Sequence, residues 1–161
     1  MKKTFCFIMI CLFLTSCAAP AAPLSYQKGL VRATFDVTLG GEEFTLCAIP
    51  AEGAVEVVRP DCIRGVRLVR DTAKYSLVSD GVETELPYEL LALSSPLFEM
   101  FSLSEANVEN QSKLGECRIK TENGTYTVVL SDNGAPDSIS FAGAADFTAT
   151  AIALEYADSG K

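Results

Sequence analysis

The groups that could carry out chemistry in this chain are carboxylates, hydroxyls and thiols, because its 161 residues include no histidine. Histidine is the most frequent general base, the usual activator of serine and cysteine nucleophiles, and a common zinc ligand. Two acid pairs, Glu42 with Glu43 and Glu83 with Glu85, have the residue types of catalytic carboxylates. Both pairs fall at strand edges or on a predicted solvent face, so we interpret them as solubilising charges. The sequence therefore predicts a protein that is not an enzyme.

Two short strings match parts of the pattern of penicillin-recognising enzymes. They are Ser-x-x-Lys at 25–28 and Ser-Asp-Asn at 131–133. The first precedes any predicted helix, and the second continues into Gly134 as a hairpin turn, so we reject this activity. Asp132, Asn133 and Asp137 could hold calcium, but a turn rich in such residues is explained by backbone conformation. We predict neither a metal site nor a cofactor.

The thiols show no metal-binding spacing. Cys6 and Cys11 lie in the apolar N-terminal run, whereas Cys47, Cys62 and Cys117 are spread through the rest of the chain, unlike a zinc knuckle or a CxxC motif. The favoured interpretation is three small buried hydrophobic residues, since free cysteine is often buried. The alternative is one internal disulfide with one thiol left over.

The N-terminal stretch predicts export and lipidation. Lys2 and Lys3 precede an apolar run of about ten residues, the layout of a secretory signal peptide. Leu14-Thr15-Ser16-Cys17 resembles the lipobox of bacterial lipoproteins, whose processing enzymes attach diacylglycerol to the cysteine sulfur and cleave before it. We therefore expect a signal peptide at 1–16, a lipidated Cys17, and a tether at 17–29. The alternatives are an ordinary signal peptide cleaved nearby, or an uncleaved anchor.

This processing would place the protein on the outer face of a bacterial membrane, or on the outer membrane where there is one. Loss of two lysines and no acid changes the net charge from -8 to -10. Nucleic acid is excluded as a partner, because phosphate backbones are bound by lysine and arginine. With 48% hydrophobic residues the remainder is predicted to fold, as a monomeric single domain at 30–157 followed by a disordered end at 158–161.

Alternating apolar and polar residues predict a mainly β, antiparallel domain. Val31, Ala33, Phe35, Val37 and Leu39 alternate with polar residues, and similar segments recur every eight to twelve residues with Gly-Gly, Asp-Gly and Asn-Gly turns between them. The pattern predicts a single curved sheet of about ten or eleven strands. The last strand, at 147–156, has apolar or small residues on both faces, which predicts a central strand covered on both sides.

A helical segment interrupts the strands at about 87–102. Ser94-Ser95-Pro96 is typical of an N-cap followed by proline in the first helical turn, after a separate short leucine-rich helix. Leu97, Met100 and Phe101 then lie at i, i+3 and i+4, with Phe98 beside them. We expect this segment to lie on the sheet as a helical lid.

The order of lipobox, tether, six strands, apolar helix and further strands resembles the LolA/LolB and LppX superfamily, especially its anchored members of the LolB, LppX or GerS type. The local strings that carry the resemblance are 59–66, 74–77 and 80–82. The resemblance implies a half-barrel with helices across its concave side, around a cavity for an acyl chain. It assigns no ligand-binding residue.

We therefore predict a membrane-anchored lipoprotein that binds lipid, an acyl chain or another hydrophobic ligand, with lipid or lipoprotein transport as the process it would serve. The alternative is a tethered interaction or regulatory domain that binds an envelope protein and no small ligand. The sheet and lid residues predicted to line the ligand site are Phe35, Val37, Phe44, Leu46, Val57, Leu68, Tyr75, Leu77, Leu97, Phe98, Met100 and Phe101.

Overall fold

The computed structural model describes residues 24–72, 74–86, 88–111 and 115–157, with the backbone alone at 88–93. The signal peptide, Cys17 and 158–161 lie outside these residues. Single 3-10 turns form at Ser25–Gln27, Pro50–Glu52, Asp61–Ile63 and Glu105–Asn107, and the helix α1 is Tyr88–Glu99. The strands are β1 Leu30–Leu39, β2 Glu42–Ile49, β3 Ala54–Arg59, β4 Arg67–Asp71, β5 Lys74–Ser79, β6 Val82–Glu85, β7 Val108–Gln111, β8 Glu116–Lys120, β9 Gly124–Leu130, β10 Pro136–Gly143 and β11 Phe147–Tyr156.

All of these strands belong to one open antiparallel sheet, in the order β6-β5-β4-β3-β2-β1-β11-β10-β9-β8-β7. Neighbours in the sheet are neighbours in the chain, except that β1 pairs with β11 and so joins the first and last strands. The helix follows β6 and precedes β7, the two strands at the sheet edges. The predicted fold class, a curved antiparallel sheet with an inserted helix, is confirmed.

One face of the sheet, the inner face, carries the core. Phe35, Ile119, Tyr126 and Ile139 are at most 1% exposed there. The C-terminal end of α1 packs on the same face, since the hydroxyl of Tyr126 lies 3.0 Å from the carbonyl oxygen of Pro96. The alternation seen in the sequence therefore separates a core face from a solvated face.

Two β-bulges change this alternation on β1 and β11. The pairing shifts between Leu30 and Arg32, and again between Thr34 and Phe35, so Val31 and Ile152 are extra residues without a partner across the ladder. Both side chains are exposed, at 44% and 55%. The prediction that Val31 shares the buried row was wrong for this reason. The predicted cover on both faces of β11 was also wrong, although the strand is central.

The helix is longer than the Ser-Pro signal predicted. It begins at Tyr88, and Pro96 lies within its last turns instead of its first turn. The leucine-rich residues that precede Pro96 favour a helix, and one proline near the end removes only one backbone hydrogen bond. The predicted pair of short helices is therefore a single helix.

The segment before β1 is part of the packed domain. Leu24 and Tyr26 are each 3% exposed and belong to the core cluster. The Tyr26 hydroxyl donates to the carbonyl oxygen of Met100 at 3.3 Å. Packing thus begins six residues before Leu30, within the segment that the sequence analysis assigned to the tether.

Candidate functional site

The four lid residues of the predicted ligand site lie at the C-terminal end of α1 and directly after it. Leu97, Phe98 and Met100 are buried, and Phe101 is half-buried against the core. The rings of Phe101 and Phe35 are 5.9 Å apart, and those of Phe98 and Tyr75 are 5.5 Å apart. The helix end therefore contacts β1 and β5 at once.

The sheet residues of the predicted site differ in burial. Phe35, Val37 and Leu46 are buried in the core. The half-buried residues that pack against it are Phe44, Val57, Leu68 and Tyr75. Leu77 lies opposite Leu68 on β5 and is also half-buried, but it is outside the core cluster.

These differences follow the position of the strands in the sheet. On β1 and β8–β11, the closed half, inner-face residues such as Ile119, Val128 and Ala149 are completely buried. On β3–β6, the open half, Val55 is buried, whereas Val57, Leu68 and Leu77 keep part of their surface accessible. The open half therefore continues the apolar core toward solvent.

A cavity of about 90 Å³ lies between α1 and the open half. Its lining includes Val55, Phe98 and Phe101, with Arg70 and Ser102 at its polar side. Small-molecule sites usually enclose about 300–1,000 Å³. This space holds only a few carbon atoms, so a longer ligand requires displacement of the side chains between the helix and the sheet.

Arg70 places a positive charge beside this cavity. Its guanidinium carbon lies 5.7 Å from the centre of the Phe98 ring, a cation–π contact. Within the part of the chain that the structure describes, the ion pairs involve other cations, namely Arg64, Arg67, Lys74 and Lys120. Among the described residues, none forms an ion pair with Arg70.

Glu99 fixes the end of the helix to the closed half. Its Oε2 accepts hydrogen bonds from the Tyr126 hydroxyl at 2.8 Å, the Thr121 hydroxyl at 3.2 Å and the Asn123 amide at 3.3 Å. Burial, reinforced by the Glu99 carboxylate, raises the pKa of Tyr126. Sequence reasoning missed this anchor. The sequence feature that could have indicated it is the single acidic residue, Glu99, within the apolar run at 97–101.

A larger depression, of about 450 Å³, lies on the outer face and has different chemistry. Asp36 there accepts a hydrogen bond from the Thr45 hydroxyl at 2.7 Å. Hydroxyl and charged side chains around it include Thr38, Thr148 and Arg59, and two of the predicted ligand-site residues, Val37 and Phe44, also line it. Its polar lining does not suit an acyl chain, so its greater volume does not make it the candidate site.

The other residues whose side chains could carry out chemistry have structural roles. Ser131 and Asn133 form a turn, in which the Asn133 side chain accepts from the Ala135 amide at 3.0 Å. All three described cysteines are free, and the prediction that all are buried was wrong, since Cys62 is exposed and Cys47 is only partly buried. Burial raises the pKa of the Cys117 thiol.

Among the described residues, no group of three possible metal ligands occurs, and no helix is long and apolar enough to span a membrane.

The fold and site define a one-sheet domain with a helix across a partly open apolar face. No protein-family model and no curated protein sequence matches this chain. Among solved structures, the chain is similar to the crystal structure of lipoprotein LppX from Mycobacterium tuberculosis. The match has 14% sequence identity and a TM-score of 0.47, and covers 85% of this chain and 96% of that chain. At this level the likeness does not decide family or function, and membership of the LolA/LolB and LppX superfamily stays a prediction.

Proposed function

We propose that this protein is a lipoprotein, anchored through Cys17 to the outer face of a bacterial membrane, that binds a lipid or acyl chain between α1 and the open half of the sheet. The observation that carries the proposal is the half-buried apolar row of the open half. Leu68 lies opposite the buried Val55 on one side and opposite Leu77 on the other, so the row runs from the core toward the sheet edge.

The anchored end of the helix suggests how the site admits a ligand. Hydrogen bonds to Glu99 hold this end on the closed half. The rings of Phe98 and Phe101 can turn away from the open half without breaking these bonds. A ligand that replaces these rings on the sheet gains about 0.8 kcal/mol for each methylene it buries. The cavity of about 90 Å³ would be the starting point of such an opening.

Arg70 favours a ligand with an acidic head. A carboxylate or phosphate at the mouth of the cavity would pair with its guanidinium, while the chain follows the apolar row. Fatty acids and anionic phospholipids both fit this description. Neither requires a catalytic group.

The proposal is tested by native mass spectrometry of the chain without residues 1–17, which retains Leu24 and Tyr26 in its core. We expect one co-purified lipid molecule per protein molecule, and its identity is determined after extraction. Leu68→Glu places a charge in the half-buried row and should abolish this lipid. Val82→Glu, at a residue of β6 that is 66% exposed, is the control and should keep it.

A native mass that corresponds to the protein alone, and that stays unchanged after addition of fatty acids and phospholipids, would contradict lipid binding. Circular dichroism must show that this protein is folded. The alternative, an interaction domain for an envelope protein, would then become the working hypothesis. The lipid anchor at Cys17 is tested separately, by the mass of the Cys17 peptide and by release of the Cys17→Ser protein from the membrane fraction.

A further inference from the structure

We propose that the segment at 24–27, the strap, controls how fast a ligand leaves the site, and that Gln27 is the residue through which it acts. The strap lies shortly before β1 and contacts the chain just after α1. The inference rests on the proposed function, because it concerns the release of the proposed ligand. It adds the part of the chain that positions the lid residue Phe101.

The chain turns after α1 and leaves backbone groups that need partners outside the helix. The helix ends at Glu99, and the last carbonyl groups of a helix have no partner within it. The amide of Phe101 donates to the carbonyl oxygen of Phe98 at 3.3 Å, which closes the turn. The carbonyl oxygen of Met100 and the backbone of Leu103 are bonded by the strap instead.

The strap makes these bonds with two adjacent side chains. The Tyr26 hydroxyl donates to the carbonyl oxygen of Met100 at 3.3 Å. The Gln27 amide faces the backbone of Leu103, and in the orientation that satisfies both groups it donates to the carbonyl oxygen and accepts from the amide, each at 3.2 Å. Met100 and Leu103 are 3% and 6% exposed, so water is a poor substitute for these bonds.

The two residues between these attachment points line the cavity under the lid. Phe101 and Ser102 both contribute to the wall of the cavity of about 90 Å³. The Phe101 ring also lies 5.9 Å from the ring of Phe35 on β1. Because the strap holds the backbone on both sides, Phe101 stays over the cavity. A ligand that displaces this ring on entry or exit therefore works against the strap.

The strap is itself fixed to the domain. Leu24 and Tyr26 are each 3% exposed and belong to the core. Just after the strap, the carbonyl oxygen of Gly29 accepts a hydrogen bond from the amide of Ala157 at 2.8 Å. Gln27 is only half-buried. It is therefore the strap residue that can be changed with the least loss of packing.

Gln27→Glu tests the strap, because glutamate has nearly the same shape and its carboxylate does not donate. The change removes the bond to the carbonyl oxygen of Leu103 and places a negative charge beside it. Gln111→Glu on β7 is the matched control, since Gln111 is exposed and the change in charge is the same. Ile139→Val is a control for lost stability, because it shortens a completely buried side chain of the closed half.

Two rates are measured on the chain without residues 1–17, which contains every described residue. Hydrogen exchange of the amides at 100–103 is followed without ligand. Release of bound cis-parinaric acid, a fluorescent fatty acid, is followed by rapid mixing with phosphatidylcholine vesicles. For Gln27→Glu we expect faster exchange and release that is roughly fivefold faster, as suits the loss of one hydrogen bond. Both controls should release the fatty acid at the rate of the unchanged protein.

Three results would overturn the strap. Faster exchange in Gln27→Glu with an unchanged release rate would make the strap a structural feature only, and would leave the proposed function standing. Release that Ile139→Val accelerates equally would assign the effect to lost stability. If the unchanged protein, shown to be folded by circular dichroism, binds no cis-parinaric acid or other fatty acid, both the proposed function and the role of the strap are contradicted.

Discussion

The closed and open halves of the sheet are built from similar alternating strands but differ in how completely their inner faces are covered. On the closed half, the N-terminal segment with Leu24 and Tyr26 packs with the helix end over β8–β11. On the open half, Leu68 and Leu77 face each other and remain half-buried. The same strand pattern therefore gives a sealed core on one side and an accessible apolar row on the other.

For the proposed lipid site, this difference would separate two tasks of the sheet. Complete burial on the closed half supplies stability, since each buried large side chain contributes about 1.5–3 kcal/mol. Incomplete burial on the open half leaves apolar area that a ligand can cover. The hydrogen bonds to Glu99 hold the helix end on the closed half. In the proposed lipid complex they would keep the helix attached.

The largest effect should follow Phe141→Ala in the closed half. The Phe141 ring is 2% exposed and lies 4.7 Å from the Tyr126 ring and 5.6 Å from the Phe147 ring. Its removal should lower the free energy of unfolding by about 3–5 kcal/mol. Tyr75→Ala in the open half should cost about 1–2 kcal/mol, because less area is lost from the core. Equal losses in urea titrations would show that the halves do not differ.

Alkaline pH should weaken the closed half through Tyr26. Burial raises the pKa of Tyr26 from 10.0 to about 12, because tyrosinate is poorly solvated there. The folded pKa exceeds the unfolded pKa, so this contribution, on the order of 3 kcal/mol, is complete below pH 10 and is lost as the pH rises through about 12. Urea titrations between pH 9 and pH 12 should show a smaller decline for Tyr26→Phe. An identical decline in stability for Tyr26→Phe and the unchanged protein would contradict the assignment of this effect to Tyr26.

The boundary between the halves is probed by Tyr126→Phe. This change removes the hydroxyl that donates to Glu99 and leaves the bonds from Thr121 and Asn123. A hydrogen bond to a charged group contributes about 1.5–3 kcal/mol, and the lower value is expected because Glu99 is only half-buried. Hydrogen exchange should rise at the helix end while lipid binding persists. Loss of lipid with no change in exchange would refute the role of Glu99 as an anchor.

The smallest effect on stability is expected for Leu77→Ala in the open half. The apo protein should lose about 1 kcal/mol or less, because the side chain is only half-buried. The thermal stabilisation produced by a bound fatty acid should nevertheless decrease, since Leu77 would contact the ligand. A large loss in the apo protein, with ligand stabilisation unchanged, would place Leu77 in the core and outside the site.

Local patterns were sufficient to predict most of the strands and the helical insertion. Phe35 and Val37 alternate with polar neighbours and are buried, as the period of two predicts. Strand β7 was missed, because Val108 is followed only by polar residues along an exposed sheet edge. The role of the predicted ligand-site residues in binding stays a prediction, which the lipid experiment addresses.

The open antiparallel architecture could be predicted from local patterns, because alternation and turn residues act over a few neighbouring positions. Lipidation of Cys17 stays a prediction from the same kind of local pattern. Which inner-face residues are sealed depended on tertiary packing, because Leu24, Tyr26 and Glu99 act on strands far away in the chain. The tertiary structure also decided where Val31 and Ile152 point, since a bulge depends on the register between two strands at opposite ends of the sequence.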